Sequence, residues 1–365
     1  MTATGDLRRA GVSIWLDDLS RERILSGGLA RLIAERDVVG ITTNPTIFAN
    51  AFEESGAYER QLAELRRMGA SAADAAFALM TADVQSACDV LRPTFDATEG
   101  LDGRVSIEVS PAVAHDSAAT LAEAHQLRSA VDRQNLFVKI PATDAGITAI
   151  ADATAAGISV NVTLIFGLER YRQVIDASVS GLERAKDAGL PLGAIQSVAS
   201  FFVSRVDVEV DRRLESAGVT DSPLAGRAAV ANARLAYEIF EQSVRSQRWL
   251  ALERDGANRQ RPLWASTGVK NTRMRDTVYV EELVAPQTVN TMPEKTLEAV
   301  WDHGTIASDT VTGNYEDALQ VVDGLAAHGI LLSDVSATLE TAGIATFSAS
   351  WERLVDSVRA GLEAA

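Results

Sequence analysis

The sequence predicts an α/β fold, a single (β/α)8 TIM barrel with additional helices. Eight short apolar or β-branched runs recur along the chain, and helical patterns separate them. Alternating strands and helices are typical of a parallel sheet, and eight such units suggest a sheet that closes into a barrel. An open, doubly wound sheet is the alternative that the same alternation allows.

The candidate strands are short continuous apolar runs, and the candidate helices are longer segments. In chain order the strands occupy residues 12–16, 38–42, 104–109, 136–140, 158–164, 194–199, 262–265 and 287–290. The clearest helical patterns occupy residues 21–36, 117–133, 146–156, 168–187, 206–217 and 294–301. Short apolar runs favour buried strands, and longer amphipathic segments favour helices.

Three longer stretches connect or follow these elements. They cover residues 48–100, 224–259 and 314–365, and no linker rich in Gly, Ser or Pro precedes any of them. We interpret them as helical elaborations of the barrel. The sequence therefore predicts one domain over residues 1–365, with helical insertions and a C-terminal helical extension.

The charge balance and the cysteine count limit the classes of partner. With 34 basic and 50 acidic residues, the formal net charge is −16, which repels nucleic acid and anionic membranes. Cys88 is the only cysteine, so neither an intrachain disulfide nor a CxxC metal site can form. Residues 1–9 are polar, and no apolar stretch is long enough to span a bilayer. We expect a cytoplasmic protein that binds neither nucleic acid nor membrane.

Polar side chains gather where the predicted strands end, which is where the active sites of such barrels lie. They are Asp17, Asp18, Thr42, Thr43, Asn44, Glu108, Lys139, Asn161, Thr163, Ser200, Arg205, Ser266, Thr267, Asn290 and Thr291. Strand side chains alternate between the two faces of a sheet, so Glu108, Lys139, Asn161 and Thr163 are predicted to point into one lumen. Taken singly, each polar residue could instead lie in a loop or cap a helix.

Lys139 is the most informative of these residues. It lies in the apolar run Leu-Phe-Val-Lys-Ile-Pro of residues 136–141. Burial disfavours the ammonium form of a lysine, so a lysine in such a run can be neutral near pH 7. A neutral amine can attack a ketone and form a Schiff base. The alternative is a lysine on an edge strand with its amine in solvent.

Other chemistries have little support in the sequence. No GxGxxG or GxxxxGK[ST] motif indicates a nucleotide site, and no GxSxG motif indicates a serine hydrolase. The four histidines, His115, His125, His303 and His328, lie outside the strand ends and form no HxH or HExxH pair. We therefore expect neither a metal ion nor a cofactor.

Seven segments resemble the transaldolase family, whose members are Schiff-base enzymes of the non-oxidative pentose phosphate pathway. They are residues 15–21 (WLDDLSR), 40–48 (GITTNPTIF), 105–111 (VSIEVSP), 136–143 (LFVKIPAT), 158–166 (ISVNVTLIF), 200–207 (SFFVSRVD) and 264–271 (WASTGVKN). They occur in the family's order over about residues 10–300. The resemblance implies a single (β/α)8 barrel, and the chain length suggests a bacterial subgroup with extra helices.

The resemblance also implies catalytic roles. Lys139 would form the Schiff base, and Asp17 would be the general acid and base for cleavage and formation of the C–C bond. Glu108 and Thr163 would hold a water that transfers protons to and from the carbinolamine.

Substrate contacts follow from the same resemblance. Asn44 and Asn161 would bind donor hydroxyls, and Ser200 would position the dihydroxyacetone unit. Phe202 would form an apolar wall, and Arg205 would contact the substrate phosphate. Family members carry an arginine two positions after the residue equivalent to Ser266, where this chain has Gly268. Lys270 is the candidate replacement for that arginine.

The implied reaction transfers a dihydroxyacetone unit between sugar phosphates. The donor would be sedoheptulose 7-phosphate or fructose 6-phosphate, and the acceptor would be glyceraldehyde 3-phosphate or erythrose 4-phosphate. A homodimer is also implied. Three alternatives stay open: a fructose 6-phosphate aldolase, which releases free dihydroxyacetone, a non-catalytic barrel that binds sugar phosphates, and an oligomeric scaffold without a ligand. The presence of Asp17, Glu108 and Lys139 together argues against the non-catalytic barrel. The polar strand ends argue against the scaffold, because structural lumens fill with apolar layers.

Overall fold

Eight parallel strands form a closed barrel in a computed structural model that describes residues 2–54, 56–219 and 222–365. Each strand pairs with the next, and the last pairs with the first, so the barrel prediction is confirmed and the open sheet is wrong. The strands are β1 (Val12–Leu16), β2 (Val38–Ile41), β3 (Arg104–Glu108), β4 (Leu136–Pro141), β5 (Val160–Ile165), β6 (Ser197–Phe202), β7 (Gln260–Ala265) and β8 (Thr288–Met292).

Sixteen α-helices surround the barrel within the described part of the chain. They are α1 (Ala3–Arg9), α2 (Arg21–Leu25), α3 (Gly28–Arg36), α4 (Pro45–Glu54), α5 (Glu59–Arg67), α6 (Ala72–Ala97), α7 (Ser117–Val131), α8 (Asp144–Ala155), α9 (Leu168–Asp187), α10 (Ser204–Ser216), α11 (Ala228–Ser243), α12 (Gln247–Arg254), α13 (Val278–Glu281), α14 (Glu294–His303), α15 (Tyr315–Ala327) and α16 (Leu332–Ala364). None of them is by itself long and apolar enough to cross a membrane; α15 and α16 reach that threshold only as a pair bent by 86°.

Two predicted boundaries are wrong for identifiable reasons. The helix predicted over residues 21–36 is two helices, because Gly27 takes a left-handed conformation with φ of 74° between α2 and α3. The strand predicted over residues 194–199 lies at Ser197–Phe202, since Leu192–Ala194 forms a short 3-10 helix before it. The shift places Ser200 and Phe202 inside β6 rather than after it.

The strands separate two cores by the alternation of their side chains. Ile107, Val138 and Ile140 belong to the large cluster between the barrel and its helices. Phe137 and Val198 belong to a second cluster that fills the lumen, together with Trp15, Leu263 and Val289. The predicted alternation around Lys139 is therefore confirmed.

Strand β5 breaks this alternation near its end. The sequence pattern predicts that Leu164 faces the helices with Val160 and Val162, but Leu164 packs in the second cluster with Phe166 and Phe202. The cause is a register shift between Val162 and Ile165, where Leu164 takes a φ of 60°. A bulged residue of this kind re-aims its side chain.

A buried polar network closes the lumen at the N-terminal end of the strands. Arg261 lies 3.0 Å from Asp102, and its guanidinium also donates to Ser13 Oγ at 2.8 Å. Asp102 accepts further hydrogen bonds from Ser13 Oγ and Trp15 Nε1. The polar residues that the sequence placed at the other end define the candidate site.

Helix α16 is the observed form of the predicted C-terminal extension, and it crosses the C-terminal mouth of the barrel. Ser336 near its start donates to Phe166 O at 3.1 Å, just after β5. Farther along the helix, Ser350 lies 2.8 Å from Thr46 of α4, at the end of β2. The helix therefore spans the mouth from one side to the other.

Candidate active site

Lys139 and Glu108 lie side by side on adjacent strands. The register pairs Glu108 of β3 with Lys139 of β4, and Lys139 with Asn161 of β5. Lys139 is only 4% exposed. Its Nζ lies 3.2 Å from Glu108 Oε2 and donates a hydrogen bond to Thr43 O at 3.1 Å. The alternative of a lysine on an edge strand is wrong, because β4 is paired on both sides and the amine is buried.

The carboxyl group of Glu108 has a raised pKa. Burial raises its pKa to about 7, with a smaller contribution from the neighbouring Asp17, while the positive charge of Lys139 opposes the shift. A carboxyl with this pKa can both accept and donate a proton near neutral pH. Glu108 Oε2 is close enough to Lys139 for an ion pair but makes no well-directed hydrogen bond to any residue that the structure describes.

Asp17 is held at the mouth of the barrel, just beyond β1. Its backbone N–H donates to Met292 O at 2.9 Å, and Thr42 Oγ1 donates to its Oδ1 at 2.7 Å. Thr42 is in turn 2.6 Å from Thr291 Oγ1. Burial raises the pKa of Asp17, and the charge of Lys139 and the hydrogen bond from Thr42 counteract part of that shift. The carboxylate is thus oriented by neighbours while its affinity for a proton is increased.

Three side chains form a hydrogen-bonded row across the lumen beside Lys139. Asn161 Nδ2 donates to Ser106 Oγ at 3.0 Å, and Ser200 Oγ donates to Asn161 Oδ1 at 2.7 Å. The row fixes the orientation of the Asn161 amide. Sequence reasoning missed Ser106, although its spacing of two residues from Glu108 on one strand places it on the same face.

Thr163 lies one step farther along β5 than Asn161, on the same side. It is fully buried, and its Oγ1 has no hydrogen-bond partner in residues 2–54, 56–219 and 222–365. Buried polar atoms of this kind are rare and call for an explanation. Thr163 Oγ1 and Glu108 Oε2 are the two such atoms on the strands that flank Lys139.

Asn44 has a structural task that limits its predicted binding role. Its Oδ1 accepts hydrogen bonds from the backbone N–H groups of Thr46 and Ile47, at 3.0 and 3.1 Å. This is the capping arrangement that stabilises the start of a helix, here α4. The amide nitrogen of Asn44 is the group that could meet a substrate.

Arg205 is a half-buried cation near the start of α10. Among the described residues no carboxylate pairs with it, and its guanidinium carbon lies 5.8 Å from the centre of the Phe202 ring. Burial lowers the pKa of Arg205, yet an arginine stays charged at neutral pH. Phe202 itself packs on Phe166, with ring centres 5.0 Å apart.

Ser266 and Lys270 lie on the loop that follows β7. Ser266 Oγ is 3.1 Å from Ser204 Oγ, and Ser266 O accepts from the Ser204 backbone N–H, so the loop is joined to the residue before Arg205. Ser266 also has a left-handed φ of 56°, a strained conformation that is frequent at functional sites. Lys270 is exposed, and the structure records no ion pair for it among the described residues.

Phe347 of α16 is a site residue that the sequence did not suggest. The centre of its ring lies 5.8 Å from Lys139 Nζ, and the ring belongs to the lumen cluster. No local signal could have found it, because it sits within an ordinary helical stretch far from the segments that carry the family resemblance. Only the path of α16 across the mouth brings it to Lys139.

The four histidines are all exposed, as their positions in the sequence predict. His303, for example, hydrogen-bonds Asp276 on the surface. Within the described ranges, no three His, Cys, Asp or Glu side chains are grouped closely enough to hold a metal ion.

Comparison with known proteins identifies the family. The family model described as "Transaldolase/Fructose-6-phosphate aldolase" matches residues 14–358. The chain belongs to this family. Curated relatives named "Transaldolase" include those of Kocuria rhizophila (56% identical, covering 100% of this chain and 99% of the relative), Acidothermus cellulolyticus (57%, 99% and 97%) and Mycobacterium bovis (55%, 98% and 97%).

Membership of the transaldolase/fructose-6-phosphate aldolase family supports an enzymatic role as a transferase acting on sugar phosphates. The similarity extends over nearly whole chains, so it includes the C-terminal helices as well as the barrel. The predicted family and fold are confirmed.

Glu108→Gln should change how the free energy of unfolding depends on pH. The native pKa of Glu108 is about 7, above the ordinary value of 4.5, so between these values the folded state binds more protons than the unfolded state. The raised pKa of Glu108 therefore adds to the free energy of unfolding in full below about pH 4.5, and this stabilisation is lost as pH rises through about 7. Glutamine cannot ionise, so from roughly pH 5 to pH 8 the wild type should lose on the order of 1–3 kcal/mol relative to the variant. Urea unfolding at both pH values measures this, and parallel profiles would contradict it.

Proposed function

We propose that this chain is a transaldolase that carries a dihydroxyacetone unit as a Schiff base on Lys139. The donor would be sedoheptulose 7-phosphate or fructose 6-phosphate, and the acceptor glyceraldehyde 3-phosphate or erythrose 4-phosphate, as in the non-oxidative pentose phosphate pathway. The observation that carries the proposal is the buried Lys139 amine 3.2 Å from Glu108, whose pKa of about 7 suits proton transfer. The relatives named transaldolase support the same reaction.

Formation of the Schiff base requires an unprotonated Lys139 amine. Glu108 is the carboxylate paired with Lys139, and its pKa of about 7 suits it to take up the ammonium proton near neutral pH. The amine then adds to the C2 carbonyl of the ketose phosphate to give a carbinolamine. Loss of water from the carbinolamine needs a proton on the leaving hydroxyl. Glu108 and Thr163 could deliver it through a bound water, which would also satisfy Thr163 Oγ1 and Glu108 Oε2.

Cleavage of the C3–C4 bond is the step assigned to Asp17. The iminium on Lys139 withdraws electrons from that bond, and Asp17 takes the proton from the C4 hydroxyl as the bond breaks. The raised pKa of Asp17 makes it a better base for this proton. An aldose phosphate leaves and a three-carbon enamine remains on Lys139. Addition of a second aldose phosphate reverses these steps.

Binding of the three-carbon unit is assigned to Asn161, Ser200 and Asn44. Asn161 and Ser200 already hydrogen-bond each other at 2.7 Å, so both are oriented before a substrate arrives. Asn44 would contribute its amide nitrogen, because its oxygen caps α4. Phe202 would form the apolar wall of this part of the site.

The substrate phosphate is assigned to Arg205, with Ser266 and Lys270 as further contacts. Arg205 is half-buried without a described carboxylate partner, and a phosphate would supply the missing counter-charge. Ser266 is joined to the start of α10 through Ser204. Lys270 lies on the same loop, and its Nζ is close to Gly268.

We further propose that residues 1–365 form one domain that acts in the cytoplasm as a homodimer. One contiguous hydrophobic cluster contains residues from Leu7 near the start to Val358 near the end, which supports a single domain. The homodimer follows from the family resemblance. Light scattering should give twice the mass of the chain, and a monomer mass would contradict the dimer.

Borohydride should trap a dihydroxyacetone adduct on Lys139 when fructose 6-phosphate is present. Lys139→Arg should abolish both trapping and turnover, because a guanidinium stays protonated and cannot attack. Mass mapping of the peptide containing residues 136–143 measures the adduct. Lys186→Arg is the matched control, since Lys186 is an exposed lysine paired with Asp255 and its variant should be trapped normally. An adduct on any other lysine would overturn the assignment, and free dihydroxyacetone as the main product would indicate the aldolase alternative.

Asp17→Ala and Glu108→Ala should fail at different steps. Asp17 acts only after the imine exists, so Asp17→Ala should accumulate a six-carbon adduct on Lys139 and cleave it about 10²–10⁴-fold more slowly. Glu108 acts on the carbinolamine, so Glu108→Ala should slow the appearance of any adduct. Rapid mixing followed by borohydride quench measures both. The reverse pattern would mean that the two roles are exchanged.

Arg205→Ala should raise KM for phosphorylated substrates far more than for unphosphorylated analogues. A charge-assisted contact contributes roughly 1.5–3 kcal/mol, or about tenfold to a hundredfold in KM. Lys270→Ala should show the same selectivity more weakly. Arg212→Ala is the matched control on α10, because Arg212 is exposed and paired with Glu209. An equal loss for both types of substrate would show that Arg205 has a structural role.

A further inference from the structure

The path of α16 over the barrel mouth is fixed at several points along the helix. Near its start, Arg213 of α10 donates to Thr338 Oγ1 at 2.9 Å. Two residues later, Glu340 lies 3.5 Å from Arg170 of α9. Farther on, Ser350 lies 2.8 Å from Thr46. These contacts reach three different parts of the helical ring, so the helix segment between them is held across the mouth.

A close contact between Gly343 and Leu164 sets the height of α16 above the lumen. A Cβ added to Gly343 would lie 3.0 Å from Leu164 Cδ2, so a side chain at this position would crowd Leu164, and glycine lets the helix lie close to β5. The left-handed φ of Leu164 turns that side chain away from the helices and into this contact. Gly343 in α16 and the left-handed Leu164 in β5 together allow the helix and the strand to pack closely.

This close packing of α16 on β5 brings Phe347 near the Lys139 amine. It follows Gly343 by four residues and therefore lies on the same face of α16. The ring is 7% exposed, its centre is 5.8 Å from Lys139 Nζ, and it packs in the cluster that contains Phe166 and Phe202. A phenyl ring cannot donate or accept a proton. Near an amine or an iminium it can stabilise positive charge by its electron-rich face and displace water.

We propose that Phe347 determines whether the enamine on Lys139 is transferred or hydrolysed. The inference rests on the proposed function, because it requires a three-carbon unit bound to Lys139. By occupying the space over the nitrogen, the ring keeps water from C2 while the second aldose phosphate binds. Phe347 is thereby a specificity-determining residue for a transferase over an aldolase outcome.

The competing hydrolysis has a simple balance. The enamine C3 takes up a proton and regenerates the iminium. Water adds to C2, its excess proton passes to a nearby base, and the carbinolamine then expels the Lys139 amine. One water is consumed and one free dihydroxyacetone is released, with no oxidation or reduction. Every step after protonation needs a water molecule at C2, which is the position that the Phe347 ring protects.

The test measures the ratio of free dihydroxyacetone to transferred dihydroxyacetone, with fructose 6-phosphate as donor and erythrose 4-phosphate as acceptor, so that transfer appears as sedoheptulose 7-phosphate. Phe347→Ala should raise the ratio by about tenfold or more, whereas Phe347→Leu should keep it near the wild-type value because leucine restores most of the apolar volume. Leu354→Ala is the matched control. Leu354 is fully buried on the same helix but packs in the large outer cluster, so its variant should loosen α16 without changing the ratio.

The other outcomes are distinguishable. If Phe347→Ala loses transfer with an unchanged ratio, or if Leu354→Ala raises the ratio as much, the ring acts only through the stability of α16 and the inference is wrong. If Phe347→Ala does not fold, Phe347→Val takes its place, and the ratio should rise as side-chain volume falls from Phe to Leu to Val. If the wild type gives no borohydride adduct on Lys139, the proposed function fails, and the inference fails with it. A wild-type adduct with an unchanged ratio in all variants refutes the inference alone.

Discussion

The buried pair of Lys139 and Glu108 is the interaction around which the site is organised. Two charges that face each other in a lumen lose the hydration they would have in water, so neither can be fully ionised without cost. The closed register of β3, β4 and β5 enforces the pairing by placing both side chains at one level. Burial of the pair raises the pKa of Glu108 to about 7, so its carboxyl can exchange a proton near neutral pH. The backbone carbonyl of Thr43 accepts a hydrogen bond from the Lys139 amine and helps to orient it without carrying a counter-charge.

The buried polar groups near Arg261 and those near Lys139, at opposite ends of the barrel, differ in how they are hydrogen-bonded. At the N-terminal end, Arg261 and Asp102 are buried but satisfy each other and their neighbours through several hydrogen bonds. At the C-terminal end, Thr163 Oγ1 and Glu108 Oε2 are left without hydrogen bonds to described residues, and Ser266 and Leu164 have strained backbones. Polar groups without partners and strained residues both reduce stability. Both features occur beside Lys139, but the N-terminal end has them too, as Gln260 Oε1 and the left-handed Gln287 show.

The sequence predicted the barrel and most of the site because both depend on local patterns. Apolar runs located eight strands, and a period of two placed Glu108, Lys139 and Asn161 on one face. The same rule failed at Leu164, since a bulge is a property of the backbone that alternation cannot express. The sequence could not show that the side-chain oxygen of Asn44 caps a helix, which the hydrogen bonds to Thr46 and Ile47 reveal and which leaves its amide nitrogen for a ligand. Phe347 could not be predicted, because its proximity to Lys139 arises from tertiary packing of a helix far away in the chain.

A phosphate contact at Arg205, as proposed, would give substrate binding two opposite responses to ionic strength. The net charge of −16 repels a sugar phosphate at long range, and added salt screens this repulsion over a Debye length of about 10 Å at 0.1 M. Encounter between enzyme and substrate therefore becomes faster as salt increases. The proposed contact between Arg205 and the phosphate would be short-ranged and partly shielded from solvent, so screening would weaken it less, but dissolved anions would compete for the same guanidinium. The balance between faster encounter and competition would then give an optimum at intermediate ionic strength.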